Sequence, residues 1–452
     1  MTTSDGTDRA VIQVQDGTGQ GGELGGVVRQ LGGRRAVLSA ILPCAIEFYD
    51  FYIFGLLAPI LAKTFFPEHD NVAGLLYVFT LFAVAFAARP IGAIMFGHIG
   101  DRHGRRNTLV ISVVVMLVAT VLIGLAPTYA SVGILAPIWL TVARLLQGIA
   151  TGGEIGGLLT YLTEVAPPGK RGAYGSVLNV ASGLGTLLGV GTAKLISLFD
   201  ADQVAQFGFR IPFLLSIPLA LTVFLLRWGA PESPEFARRR DTLVKQPVVL
   251  AFQQHWRQML LVIGVVFAQV IGGYGLLIYL PTYLQKYSGI PASTTYSFGI
   301  LLSVLWIVLM VPMGALSDRV GRRPVLIAGG GGLALVMFPA FAMLESGRTI
   351  LGILACVLIM LALTAVVGPT SAVFAEQFPL HVRYSACGVG FALASSLFGG
   401  TAPLLGTYFS SSLGRPWLFI LYVAFGGLVT LTVVTLAVRE TAFGDLESRT
   451  TA

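Results

Sequence analysis

Long apolar runs, broken by short polar segments, recur along this chain from residue 36 to residue 438. A run of about 20 apolar residues makes a helix that crosses the roughly 30 Å hydrocarbon layer, so each run predicts a membrane-spanning helix. The runs are continuously apolar and lack the period-2 alternation of a lipid-facing strand, which excludes an outer-membrane barrel. Hydropathy places twelve spans at about 36–62, 72–97, 107–127, 133–163, 172–198, 209–230, 257–285, 291–316, 324–344, 349–376, 384–410 and 416–438. The most polar internal stretch lies between the sixth and seventh and holds Arg238, Arg239, Arg240 and Lys245. The expected fold is an all-α membrane protein, with twelve transmembrane helices in two pseudo-symmetric six-helix bundles. Its parts are a disordered cytoplasmic tail (1–33), a first bundle (34–230), a cytoplasmic central loop (231–256), a second bundle (257–438) and a cytoplasmic tail (439–452). The first segment is polar and Gly-rich without the apolar core of a signal peptide.

Composition agrees with the pattern. Of 452 residues 55% are hydrophobic and 11% charged, against about 25% charged in a soluble domain. The net charge of +7 does not predict a nucleic-acid partner, because Arg and Lys cluster between the apolar runs. Loops after even-numbered spans carry more of them than the opposite loops, which puts both termini in the cytoplasm. Cys44, Cys356 and Cys387 fall inside apolar runs and predict packed thiols, with no metal site.

An internal repeat divides the chain in two. GHIGDRHGRR (Gly97 to Arg106) recurs as GALSDRVGRR (Gly314 to Arg323), 217 residues on. EVAPPGKR (Glu164 to Arg171) recurs as EQFPLHVR (Glu376 to Arg383), 212 residues on, and each half closes on an acidic motif, Pro231 to Glu235 and Arg439 to Thr441. On these residues the chain resembles the major facilitator superfamily. More closely it resembles the metabolite:proton symporters, carriers of proline and betaine, 2-oxoglutarate, citrate and shikimate. The matching stretches are Glu47 to Phe51, Arg89 to Gly92, Arg144 to Gly148 leading to Glu154, Arg210 to Phe213, and Phe378 to Ser385. Phe48 stands where that family usually has Trp. The resemblance implies secondary transport by rocking of two bundles about a midplane site.

Ionisable groups in hydrocarbon are costly, so those inside spans are functional candidates. The carboxylates well inside spans are Glu47, Asp50 and Glu154, all in the first half. Glu47 and Asp50 stand one turn apart, with Phe51 and Phe54 read on the same side. Arg144, Gln147, Thr151 and Glu154 follow the 3-and-4 spacing of a single helix face. Proton coupling is assigned to Asp50, Glu47, Arg144 and Glu154, with Asp50 or Glu47 alternating between a proton and Arg144. A static buried ion pair fits the same pattern. Arg89 could hold a substrate carboxylate bidentately, or snorkel to the interface. Gln147, Asn179, Tyr274 and Tyr279 are further candidates for the substrate cavity.

In the doubled loops Gly104 and Gly321 permit tight turns, and Asp101 and Asp318 can bond helix-start amides or arginines. The resemblance implies a cytoplasmic gate built from Asp101, Arg102, Arg105, Arg106, Glu164, Arg171, Asp318, Arg319, Arg322, Arg323, Glu376 and Arg383. No phosphate-binding GxxxxGK[ST] loop is present, so no cofactor is expected and the proton gradient is the expected energy source. No nucleophile–base or metal-ligand constellation suggests an enzyme. The reading is a monomeric inner-membrane symporter of a bacterial metabolite, with protons, a small molecule and the bilayer as partners. An organic acid is preferred over a zwitterion; a sugar or polyol porter and a non-transporting sensor are the alternatives.

Overall fold

The first bend in the chain follows from a proline. Helix α1 runs over Ile41–Leu56 and continues as Ala58–Phe65 after a bend of 61°. Pro59 lies in the first turn of the second piece, where its missing N–H is harmless, but it cannot carry a straight helix through. Hydropathy alone carries this span straight to residue 62. The computed structural model describes residues 41–66, 71–103, 105–152, 166–167, 169–200, 204–228, 247–377 and 380–443.

The other helices are α2 (Asn71–His103), α3 (Arg105–Gly124), α4 (Leu135–Thr151), α5 (Arg171–Ile196) and α6 (Arg210–Trp228). The second half begins with α7, which is Pro247–Tyr274 continued through a π turn, Gly275–Tyr279, into Leu280–Lys286. Then follow α8 (Ala292–Val320), α9 (Arg322–Glu345), α10 (Thr349–Gln377), α11 (Leu380–Ala394, continued through turns to Ser412) and α12 (Trp417–Ala437). Among the described residues nine of these segments meet the length and apolarity of a membrane span, counting the bent α1 as one, and α3, α4 and α6 are shorter apolar helices.

Prolines shape the irregular turns. The four π turns among the described residues, Val204–Gly208, Gly275–Tyr279, Ser395–Gly399 and Tyr408–Ser412, end shortly before Pro212, Pro281, Pro403 and Pro416. Wider turns there accommodate the carbonyls that proline, which has no N–H, leaves without a helical donor.

The internal repeat is visible in the packing. The pairs α2–α4, α3–α4 and α3–α6 of the first half have counterparts α8–α10, α9–α10 and α9–α12 in the second. The halves meet along α5–α8 and along α2 against α11, with Phe82 and Phe86 of α2 also against Tyr274 of α7. Apolar side chains such as Ile94, Leu335 and Leu436 are left on the outer surface, as lipid contact requires. The tail over 1–33 and most of the central loop lie outside the described residues.

Candidate substrate and coupling site

The site begins with one phenyl ring. Phe51 of α1 is buried where α1, α2 and α4 converge, and two guanidinium groups lie against it. The Arg89 Cζ of α2 stands 4.4 Å from the Phe51 ring centre and 3.9 Å from that of Phe86. The Arg144 Cζ of α4 stands 4.6 Å from Phe51, 4.2 Å from Phe54 and 5.4 Å from Phe82. The ring quadrupole attracts a cation at such distances.

Hydrogen bonding to these cations is sparse. Arg144 Nη1 donates to Gln147 Oε1 at 2.6 Å, and Gln147 Nε2 donates to Thr120 Oγ1 of α3 at 2.8 Å. Arg144 Nε and Nη2 and all three Arg89 nitrogens have no hydrogen-bond partner, although the residues are 0% and 2% exposed. Five nitrogens are thus buried without an acceptor, where the large majority of buried polar groups have a partner.

The second half closes the cluster with Tyr274 of α7. Its ring centre is 4.8 Å from Phe86, 5.7 Å from Tyr52 and 6.4 Å from Phe82. A proline supplies the adjoining contact. Pro90 has no N–H, so the carbonyl of Phe86, four residues earlier, loses its helical partner. Ser396 Oγ of α11 donates to that carbonyl at 2.6 Å. The junction between the halves therefore sits one turn from Arg89.

Asp50 and Glu47 lie elsewhere. They line a crevice between α1, α3, α4 and α6, with Ser112, Met116, Ala150 and Val223 on its walls. Asp50 is 1% exposed and its Oδ1 has no partner. Phe51 follows Asp50 by one residue, about 100° around the helix. The carboxylates thus face the crevice while Phe51 faces the guanidiniums. That corrects the sequence reading, which put Phe51 on the side of Glu47 and Asp50. Asp50 and Arg144 form no ion pair among the described residues.

The other candidates separate. Asn179 lies on the α5–α8 seam, where its backbone carbonyl accepts from Trp306 Nε1 at 2.7 Å. Tyr279 packs on Phe79 and Phe419. Glu154 and Glu164 lie outside the described residues, as do the side chains of Asp101, Arg102, Arg105, Arg106 and Arg383.

The second copy of the doubled loop is described. Gly321 turns the chain from α8 to α9 at φ 114°, a region only glycine adopts freely. Asp318 accepts the backbone N–H groups of Gly172 (2.8 Å) and Ala173 (2.9 Å) at the start of α5, so one carboxylate joins the halves. Arg322 donates to Asp318 and Ser317 at 2.7 Å and to Glu376 at 3.1 Å. The fit is tight: a Cβ at Gly172 would stand 2.4 Å from both Arg322 Nη1 and the Gly314 carbonyl. Arg319 is exposed, and Arg171 is half-buried at the start of α5. Glu440 accepts the amides of Arg322 (2.8 Å) and Arg323 (3.0 Å) at the start of α9, and Thr441 donates to Glu376. Partial burial pushes the Glu440 carboxyl up, but the amides of Ala442, Arg322, Arg323 and Thr441 outweigh it and hold its pKa below the ordinary value. At the other end of the seam Lys194 Nζ donates to Ser297 Oγ at 2.7 Å and Tyr296 OH to the Leu56 carbonyl at 3.3 Å.

Sequence reasoning missed Phe86, Tyr52, Thr120, Ser396, Trp306 and Glu440 as members of these networks. The local signals were the Phe86 carbonyl that Pro90 frees, which marks a missing donor without naming Ser396, and the Arg439 to Thr441 motif that holds Glu440.

Comparison with known proteins adds context to this geometry. A family model described as Major Facilitator Superfamily matches residues 44–400 and 307–450. The chain is 34% identical to the proline/betaine transporter of Salmonella typhimurium over 93% of its own length and 86% of the relative's. It is 33% identical to the shikimate transporter of Escherichia coli, over 90% and 94% of the two chains. Among solved structures, the partially occluded inward-open form of the xylose transporter XylE from E. coli superposes with a TM-score of 0.72 at 22% identity, covering 90% of this chain and 97% of that one. At that identity the likeness is one of fold.

Proposed function

Because the chain belongs to the Major Facilitator Superfamily and is a multi-pass membrane transporter, we propose that it carries a small carboxylate-bearing metabolite together with a proton by alternating access. The observation that carries this reading is the pair of buried guanidiniums on Phe51, whose free donors match a carboxylate's acceptors. An organic acid is the preferred cargo, since two cations with no ion-paired carboxylate among the described residues favour an anion over a zwitterion. The likeness to a proline/betaine transporter favours the second reading, a zwitterion held by its carboxylate.

In the proposed cycle a protonated Asp50 leaves Arg144 free for substrate. Once the proton has left through the crevice that holds Glu47, the ionised Asp50 attracts Arg144 and weakens its grip on the carboxylate. Tyr274 and the Ser396 contact report occupancy to the second bundle. Asp318, Arg322 and Glu376 form the proposed latch on the basic face, which the excess of Arg and Lys assigns to the cytoplasm. This cycle needs the proton gradient and no cofactor.

The test uses purified protein in sealed liposomes containing a pH-sensitive dye. Citrate, tricarballylate, 2-oxoglutarate, shikimate, proline, betaine and glucose are added outside, with protein-free controls. Interior acidification with carboxylates and none with glucose is expected. Acidification by glucose alone would replace this reading with a sugar porter, and binding without flux would make the protein a sensor.

A further inference from the structure

Arg89 and Arg144 bring two positive charges into tightly packed helices, and neither can discard its charge. Burial drives a lysine or a carboxyl toward its neutral form, but a guanidinium stays protonated in proteins. Ring faces offset only a small part of the loss of hydration. Neither arginine is in an ion pair among the described residues, and Asp50 and Glu47 face the crevice on another side of α1. Removing a charge from water without a counter-charge is among the costliest events in folding. The empty carrier must also return through its cycle with this pair in place.

We propose that, in the absence of substrate, Arg89 and Arg144 hold a small inorganic anion of halide size, which the substrate's carboxylate displaces. The shared ring bounds the spacing of the pair. The two guanidinium carbons stand 4.4 and 4.6 Å from one ring centre and so are no more than 9.0 Å apart. A halide accepting from both groups needs a carbon–carbon spacing of roughly 8 Å at most, given ordinary donor–acceptor contacts, so the proposal requires the pair to stand on the near side of that bound. Five buried nitrogens supply the donors. Anion and substrate then exclude one another, and the site passes from one counter-charge to the next without exposing a bare guanidinium pair. The proposal rests on reading the pair as the ligand-binding element, and bromide tests it without any substrate.

Thermal unfolding of the purified full chain is followed in sodium bromide and in sodium methanesulfonate at equal ionic strength. A saturable rise in midpoint with bromide is expected, lost in Arg89→Gln and retained in Arg348→Gln, which removes an exposed loop charge. Crystals grown in bromide should show an anomalous peak between the two guanidiniums, which decides the matter if Arg89→Gln does not fold. Equal midpoints in the two salts, a bromide effect unchanged by Arg89→Gln, or the lack of that peak would each overturn the proposal. Bromide at about ten times its dissociation constant should raise the apparent KM for substrate about elevenfold by competition. Failure of the two readings is distinguishable with acetate as probe. If bromide binds and acetate does not displace it, the carboxylate reading fails and the anion site stands. Carboxylate transport with no bromide binding removes the anion site alone.

Discussion

Asp318→Asn is the most informative change at the α5–α8 seam, because it keeps the shape of the side chain and removes its charge. In the native protein two amides of α5, at Gly172 and Ala173, and Arg322 converge on this carboxylate. Asparagine retains one acceptor oxygen, so one amide loses its partner and the other keeps a neutral bond. A hydrogen bond to a charged group contributes about 1.5–3 kcal/mol and a neutral one about 0.5–1.5 kcal/mol. Losing one and weakening the other therefore costs about 3 kcal/mol of seam closure. That is about two decades in the equilibrium between closed and open seam. Arg322 keeps Glu376 and Ser317, and its backbone amide keeps Glu440, so α9 stays anchored and the effect is confined to the joint between halves. Hydrogen exchange on protein in nanodiscs reads this directly. The peptide spanning residues 170–176 should exchange roughly a hundredfold faster in Asp318→Asn, with the α9 amides unchanged. Native-like exchange at Gly172 and Ala173 in a folded variant would show that the carboxylate does not hold the seam.

Four further outcomes test other parts of the reasoning. Asp50→Asn should abolish proton-driven uptake and retain substrate exchange in preloaded liposomes; full proton-driven uptake would remove Asp50 as carrier. Gly172→Ala places a methyl group 2.4 Å from the Gly314 carbonyl, and backbone cannot yield cheaply, so cysteine cross-linking between α5 and α8 on the basic face should fall sharply. The lowered pKa of Glu440 means that its capping of α9 is complete above the ordinary carboxylate value of 4.5 and fades as pH falls through the lower folded value. Exchange of the Arg322 and Arg323 amides should accelerate in that acidic window in the native protein and be fast throughout in Glu440→Ala. Ser396→Ala leaves the Phe86 carbonyl without its donor, at a cost of about 1–3 kcal/mol. Adding Pro90→Ala restores an intrahelical N–H to that carbonyl, so the double variant should unfold at a higher temperature than Ser396→Ala, and a lower midpoint would refute the pairing.

The helices and the doubled loop were legible in the sequence because both are local. An apolar run needs only its own length to predict a span, and DRxGRR needs only its own second copy. The face of α1 was not legible. Glu47, Asp50, Phe51 and Phe54 all lie within about two turns, and spacing cannot say which flank meets α4 and which meets α6. The packing decides: Ala150, Ala220 and Val223 leave room beside the carboxylates, while Phe82 and Phe86 build a wall of rings beside Phe51. Arg144 then lies on aromatic faces with Gln147 as its bonded partner, rather than in a pair with Asp50. Glu440 was likewise visible only as a motif, since two of its partners, the amides of Arg322 and Arg323, are more than a hundred residues away.

Helix α2 shows how a short stretch of sequence joins binding to the junction between halves. Phe86, Arg89 and Pro90 occupy little more than one turn, and each answers a different need. Arg89 gives the site half of its charge, Phe86 gives that charge a ring face, and Pro90 breaks one backbone bond so that Ser396 can complete it from the other half. A guest that moves Arg89 must move Phe86, and Phe86 is held through its carbonyl to α11 and through its ring to Tyr274 of α7. Binding at the guanidiniums is in this way mechanically tied to the bundle interface through a carbonyl and a ring. Charged contacts join the halves instead at the ends of α5 and α8, at Asp318 on one face and Lys194 on the other, where water can compete for them as each seam opens. A carrier that must open each face in turn needs such reversible polar bonds at its ends and a packed apolar joint at its centre, and that is how α2, α5, α7, α8 and α11 are arranged.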